Sequence, residues 1–278
     1  MICKVIRLCD HFKNKLIGKN ATLTVYGRDN SPEIDSERRY PAVLICPGGG
    51  YEFTSDREAE PVALAFLNRG YTTAVLRYSV VPIRYPAQLI EVAAAMMLLR
   101  RRKDWYIDTE KIAVCGFSAG GHLAASLGVF WNDPVITDEL RPGEHENRPD
   151  AMILSYPVIS AGPNAHRGSF NNLLGKNPDP ALLPKLSLEN AVSQETVPAF
   201  IWHTADDKTV PVENAFLMAA ALKKASVPFE LHIYQNGVHG LSLCDSSTAA
   251  PDAHAFVNPH TATWLGLADE WLKGIWGS

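Results

Sequence analysis

The chain has 278 residues, 46% hydrophobic and 20% charged, with a formal net charge of −4. That is ordinary globular usage on a chain long enough to bury a sizeable core. With no long run of either charge, it argues against a nucleic-acid partner. No apolar run approaches the ~18 residues that span a bilayer, and "MICKVIRLCDHFKNK" lacks the apolar stretch of a signal peptide. Five cysteines, Cys3, Cys9, Cys46, Cys115 and Cys244, make an odd count without a CxxC. Neither a zinc cluster nor a redox pair is indicated, and a reducing cytoplasm is the expected setting. No metal or cofactor is expected.

Taken in chain order, short apolar runs alternate with longer amphipathic ones. "LTVYG" and the residues before it predict antiparallel edge strands. "AVLIC" (42–46) reads as a strand, followed by "PGGGY" and a helix over 58–68. "TTAVLRY" (72–78) is the next strand, and 87–103 the next helix. That helix ends in "RRRK", where cations suit the negative end of the helix dipole. "KIAVCG" (111–116) leads into "FSAGG" and a helix over 121–131. Residues 132–149, polar with three prolines, fit no helix or strand. "AMILSYPV" (151–158) precedes a long mixed segment, 160–197, with short helical pieces such as "SFNNLLG". "AFIWHTA" (199–205), a helix over 212–225, "FELHIY" (229–234), a loop over 245–259 and a helix over 261–273 complete the chain. Most of the strands are apolar on both faces, as in a sheet covered on two sides. The β-then-α rhythm predicts a doubly wound, mostly parallel sheet. None of the loops looks like a linker, so 1–278 is expected to form a single domain.

Three places carry chemistry. Gly116-Phe117-Ser118-Ala119-Gly120 is G-x-S-x-G between a strand and a helix. At such a corner the serine sits on strained backbone with its hydroxyl pushed clear, and the glycines avoid collisions with the adjacent elements. A serine hydroxyl needs a base, and the base needs an orienting carboxylate. On this kind of sheet they follow in the order serine, acid, histidine. "ADDKTVP" offers Asp206 and Asp207. Asp207 is preferred because Val210 and Pro211 stand at offsets three and four. Nine histidines are present. His11, His122, His145, His166 and His203 precede the acid. His122 begins the helix after the serine and is expected to point away, and His203 to support the acid's loop. His232 lies inside a strand, and His254 and His260 have less suitable context. His239, between Gly237 and Gly240 beyond the last strand, is the candidate base. Gly48–Gly50 after the first parallel strand, with the amide of Ala119, offer N–H donors for an oxyanion.

"PGGGY", "SDREAEPVA", "GFSAGGHLA", "WHTADDKTVP" and "GVHGLSL" resemble the α/β-hydrolase superfamily. Within it they resemble the small carbohydrate-esterase branch of acetyl xylan esterases and bacterial feruloyl/acetyl esterase domains. Pro47 stands where the hormone-sensitive-lipase-like group carries histidine. The resemblance implies an α/β-hydrolase fold with about eight strands, mostly parallel, and helices on both faces. It implies Ser118 as nucleophile, Asp207 as orienting acid and His239 as general base, with Gly49, Gly50 and Ala119 as the oxyanion hole. The activity implied is metal-free hydrolysis of carboxylic esters through an acyl-enzyme, with acylated oligosaccharides such as acetylated xylo-oligosaccharides as substrate. A general carboxylesterase, an arylformamidase or a peptidase would use the same groups, and a non-catalytic binder on the fold would lack one of them. Tyr51, Phe53, Tyr85, Trp131 and Tyr156 lie in or near loops at strand ends. A ring there either stacks on a sugar or packs in the core; Tyr51, Phe53, Tyr85 and Tyr156 are the substrate-binding candidates. The oligomeric state is open, a homo-oligomer included.

Overall fold

The computed structural model describes residues 1–277. Eight strands form one sheet: β1 Ile2–Arg7, β2 Thr22–Gly27, β3 Tyr40–Cys46, β4 Thr72–Arg77, β5 Ile107–Phe117, β6 Ala151–Ser155, β7 Ala199–Thr204 and β8 Phe229–Tyr234. Their spatial order is β1-β2-β4-β3-β5-β6-β7-β8. β1 pairs antiparallel with β2 and β2 antiparallel with β4, as the edge-strand expectation requires. All the other pairings are parallel.

Among the described residues eight α-helices connect or flank the strands: α1 Glu60–Asn68, α2 Ala87–Arg101, α3 Ala119–Phe130, α4 Pro134–Leu140, α5 Arg167–Leu174, α6 Leu182–Lys185, α7 Glu213–Lys224 and α8 Trp264–Trp276. Strand alternation sorts the core into two halves. Leu44, Val114, Leu154 and Ile201 point to the side covered by α2, α3 and α7. Ile45, Cys115, Ile153 and Trp202 point to the side covered by α1 and α8. Runs that are apolar on both faces therefore lie in the middle of the sheet, with helices above and below. On the α8 side, Trp264 stacks on Trp202 at 5.2 Å and meets Phe66 and Phe117 edge-on. No helix among the described residues is long and apolar enough to cross a membrane.

Three elements depart from expectation for local reasons. Residues 132–149 contain α4. The Asp133 side chain accepts the Val135 amide, and Pro134 stands in the first turn, where its missing N–H costs nothing. α3 begins at Ala119, two residues before the predicted start, because Gly120 and Gly121 form its first turn rather than a loop. β5 runs from Ile107, four residues before the predicted strand, because Ile107 pairs with Tyr40 across an irregularity in the ladder. The basic end of α2 is bound to carboxylates: Arg100 to Asp150, Arg101 to Glu146 and Arg102 to Asp104.

The winding places the ends of β3, β5, β7 and β8 along one edge of the sheet. Beyond them come, in turn, the glycine loop, Ser118, Asp207 and His239. The carboxyl ends of parallel strands are where open α/β sheets build their sites.

Candidate active site

Ser118 sits at the turn from β5 into α3 with φ 53° and ψ −118°. A non-glycine residue there carries roughly 1–3 kcal/mol of strain and persists only if its surroundings fix it. Ser118 N–H donates to the Ser155 carbonyl at 3.0 Å, and the Ser118 carbonyl accepts the amides of Val158 and His122. The flanking glycines allow the tight approach. A Cβ on Gly116 would lie 2.1 Å from the Gly120 carbonyl oxygen, and one on Gly120 would lie 2.1 Å from that of Cys46.

His239 Nε2 lies 2.8 Å from Ser118 Oγ, and His239 Nδ1 lies 2.6 Å from Asp207 Oδ2. Asp207 Oδ1 also accepts the amides of Thr209 and Val210, at 2.8 and 3.0 Å. Burial pushes the Asp207 carboxyl up, but the His239 bond, the charge of the imidazole and the two amides outweigh it, so the group titrates below its ordinary value. With the carboxylate holding the Nδ1 proton, Nε2 is left free to accept the Ser118 proton. Asp206 does different work: its Oδ1 accepts the Gly237 amide at 2.7 Å and braces the loop that carries His239.

The glycine loop folds back on itself. Gly49 has φ 123°, and its carbonyl accepts the amides of Glu52 and Phe53. A Cβ there would lie 2.3 Å from the Phe53 carbonyl oxygen. Gly48 N–H turns inward to Glu58 Oε2 at 2.8 Å. The amides of Gly49, Gly50 and Ala119 have no hydrogen-bond acceptor among the described residues. α5 lies against this loop, with Asn172 Nδ2 donating to the Gly50 carbonyl at 2.9 Å.

The four aromatic candidates separate. Tyr51 and Tyr156 are 2% and 1% exposed, so neither is available to stack on a sugar. The Tyr51 hydroxyl donates to His122 Nδ1 at 2.9 Å, and Tyr156 packs edge-on beneath the His239 ring at 5.1 Å. Tyr85 is half-buried beside α5, where its amide donates to the Leu173 carbonyl. Phe53 is 58% exposed beside the glycine loop and keeps the candidacy. Trp131 is buried, its indole N–H donating to the Glu195 carbonyl.

Two residues near the site are given no role by the motifs. Glu58 is treated below. His166 caps α5, its Nδ1 2.8 Å from Ser169 Oγ; burial and then the charge of His239 hold its pKa down. It stands before the acid in the chain, which disfavours it as the base but not as part of the site's wall.

His122 and His203 are buried, and burial lowers both to about 4 from an ordinary 6.5. The unfolded chain therefore takes up these protons first as pH falls. Their stabilising contribution is complete above about pH 6.5 and drains away between 6.5 and 4, on the order of 3 kcal/mol each. We expect a lower thermal unfolding midpoint at pH 5 than at pH 7.5. A midpoint constant across that window would contradict neutral, buried rings at these two positions.

The BD-FAE family model matches residues 31–222, well over half of the chain. Endo-1,4-beta-xylanase B of Butyrivibrio fibrisolvens is 39% identical over 209 residues, covering 73% of this chain and 33% of that protein. Acetylxylan esterase of Xylanibacter ruminicola is 33% identical over 216 residues, covering 75% of this chain and 42% of the relative. The chain thus spans less than half the length of either relative. The crystal structure of an acetyl ester-xyloside bifunctional hydrolase from Caldicellulosiruptor lactoaceticus superposes with a TM-score of 0.79 at 41% identity, covering 92% of this chain and 88% of that one. A G-x-S-x-G corner, an eight-stranded sheet of this order and these matches agree: the chain belongs to the BD-FAE family, on the α/β-hydrolase fold.

Proposed function

We propose that this chain is a serine esterase that removes acetyl groups from acetylated sugars, xylo-oligosaccharides foremost. The observation that carries the reading is the continuous hydrogen-bonded line from Ser118 Oγ through the His239 ring to Asp207, at 2.8 and 2.6 Å. The names of the xylanase, the acetylxylan esterase and the acetyl ester-xyloside hydrolase support the substrate class.

Chemically, the ester carbonyl lies over Ser118 Oγ while His239 Nε2 takes the hydroxyl proton. The imidazolium that results faces the Asp207 carboxylate, which stabilises it without taking the proton. Negative charge collects on the carbonyl oxygen, and the unpartnered amides of Gly49, Gly50 and Ala119 are its donors. His239 returns the proton to the departing sugar oxygen and leaves an acetyl ester on Ser118. Water activated by the same ring then attacks that ester, releases acetate and restores the serine. No step calls for a metal or a cofactor. The reading takes residues 1–278 as one catalytic unit. A cytoplasmic setting is part of it, supported by five unpaired cysteines, three of them buried.

A substrate panel tests the proposal: acetylated xylo-, manno- and cello-oligosaccharides beside feruloyl and 4-nitrophenyl esters. Acetate release from the xylo-oligosaccharides at the highest kcat/KM is expected. Turnover of the feruloyl esters alone, or of none of the panel, would overturn it.

A further inference from the structure

The stretch "SDREAEPVA" lies outside every reacting group, yet the structure drives Arg57 and Glu58 into the middle of the site's supports. Glu58 is 4% exposed, and no cation pairs with it among the described residues. A buried carboxylate is costly unless its oxygens are hydrogen-bonded. Both are. Oε2 accepts Gly48 N–H at 2.8 Å, and Oε1 accepts the Tyr156 hydroxyl at 2.6 Å. The Tyr156 oxygen in turn accepts the Ser242 amide at 2.9 Å, so its own hydrogen is committed to Glu58. Both partners are therefore donors. Only a side chain that accepts at both ends satisfies them, which selects a carboxylate over its amide.

The two ends of this chain of bonds lead to different parts of the reaction. Gly48 opens the loop that presents the Gly49 and Gly50 amides. It is seated tightly: a Cβ on Gly48 would lie 2.7 Å from Glu58 Oε2 and 2.8 Å from the Phe117 carbonyl oxygen. Ser242 lies three residues beyond His239, and the Tyr156 ring itself supports the imidazole. Arg57 holds the same histidine loop from outside. Its guanidinium donates to the carbonyls of Gly240 and Thr248 and lies 4.1 Å over the Phe256 ring. Its own carbonyl accepts the Ser242 hydroxyl at 2.6 Å.

We propose that Glu58 is a positioning residue: one buried carboxylate holds the glycine loop and, through Tyr156, the loop carrying His239 at a fixed separation. The inference rests on the esterase reading, since it assigns the two loops to the oxyanion and the base. Glu58 never touches substrate. Its loss should therefore leave binding alone and lower the chemical step, because a shift of about 1 Å in either loop can cost about 10²-fold.

The test compares Glu58→Gln, Tyr156→Phe and the double variant on 4-nitrophenyl acetate, with circular dichroism to confirm folding. Glutamine must set a donor against either Gly48 N–H or the Tyr156 hydroxyl, whichever way it turns. Tyr156→Phe removes the link to Ser242 but leaves the Gly48 bond. We expect kcat to fall by about 10²-fold in Glu58→Gln and about tenfold in Tyr156→Phe, with KM within about twofold of wild type. The double variant should be no slower than Glu58→Gln, since the two residues act through one chain of bonds. A folded Glu58→Gln with wild-type kcat, a loss confined to KM, or losses that multiply in the double variant would each overturn the proposal. If Glu58→Gln does not fold, Tyr156→Phe decides by the same split between kcat and KM. Wild-type protein inactive on every ester would sink the esterase reading instead, an outcome distinct from equal activity of variant and wild type.

Discussion

Ser118→Ala is expected to lower kcat on an acetyl ester by about 10⁶-fold while the protein stays folded. The substitution deletes one oxygen, whose hydrogen-bond partner in the site is His239 Nε2 at 2.8 Å. The backbone bonds that fix the strained corner, from Ser118 N–H to Ser155 and from Val158 and His122 to the Ser118 carbonyl, do not involve the side chain. Alanine keeps the same φ preference as serine, so the corner's strain is unchanged rather than increased. On the proposed mechanism, what disappears is covalent catalysis. What remains is the set of amides and the binding surface, worth roughly 10³–10⁴ over uncatalysed hydrolysis in enzymes of this kind. His239→Ala should cost nearly as much alone, and combining the two should add little, because base and nucleophile act as a unit. The measurement is kcat on 4-nitrophenyl acetate, with active-site titration by a fluorophosphonate to exclude traces of wild type. A Ser118→Ala protein that kept more than about a hundredth of wild-type turnover would remove Ser118 from the mechanism.

How much of this site could be read from the sequence depends on whether a residue's placement is local. Ser118 was legible because its corner is written in five consecutive residues: a strand enters, glycines flank the serine, and a helix leaves. Asp207 and His239 were legible because each follows the end of a parallel strand, and the winding of the sheet brings those ends together. The sheet itself was legible because runs apolar on both faces can only lie between two layers of helix. The choice of Asp207 over Asp206 turned on Val210 and Pro211 at offsets three and four; in the structure the amides of Thr209 and Val210 bond to its Oδ1, a contact equally local in the chain.

The remainder depends on contacts between residues far apart in the chain. Glu58 reads as one more acid in the charged run "SDREAE". Its buried oxygens are satisfied by Gly48 N–H and by the hydroxyl of Tyr156, 98 positions later. The same tyrosine at a strand end looked like a ring for a sugar, and the structure spends it under His239. Tyr51 was indistinguishable from its exposed neighbour Phe53 until His122 offered its Nδ1 as an acceptor. His166 was passed over by a rule about chain order that concerns only the base. A wall residue obeys no such order, because packing of α5 on the glycine loop places it.

Asp207→Asn is expected to lower kcat by about 10⁴-fold with the geometry of the site preserved. Asparagine is the same shape, and its oxygen can keep the amides of Thr209 and Val210 that now bond to Oδ1. Its amide nitrogen then occupies the place of Oδ2, 2.6 Å from His239 Nδ1. Two N–H groups cannot face each other at that distance, so the imidazole adopts the other tautomer and carries its hydrogen on Nε2. An Nε2 that already holds a hydrogen cannot take the Ser118 proton, and the serine stays a weak nucleophile. The adjacent acid supplies the control. Asp206→Asn keeps an oxygen for the Gly237 amide and has no bond to His239, so it should stay within about tenfold of wild type. Steady-state kinetics of both variants at pH 7.5 decide the matter. A large loss in Asp206→Asn beside a mild one in Asp207→Asn would reverse the assignment of the orienting acid.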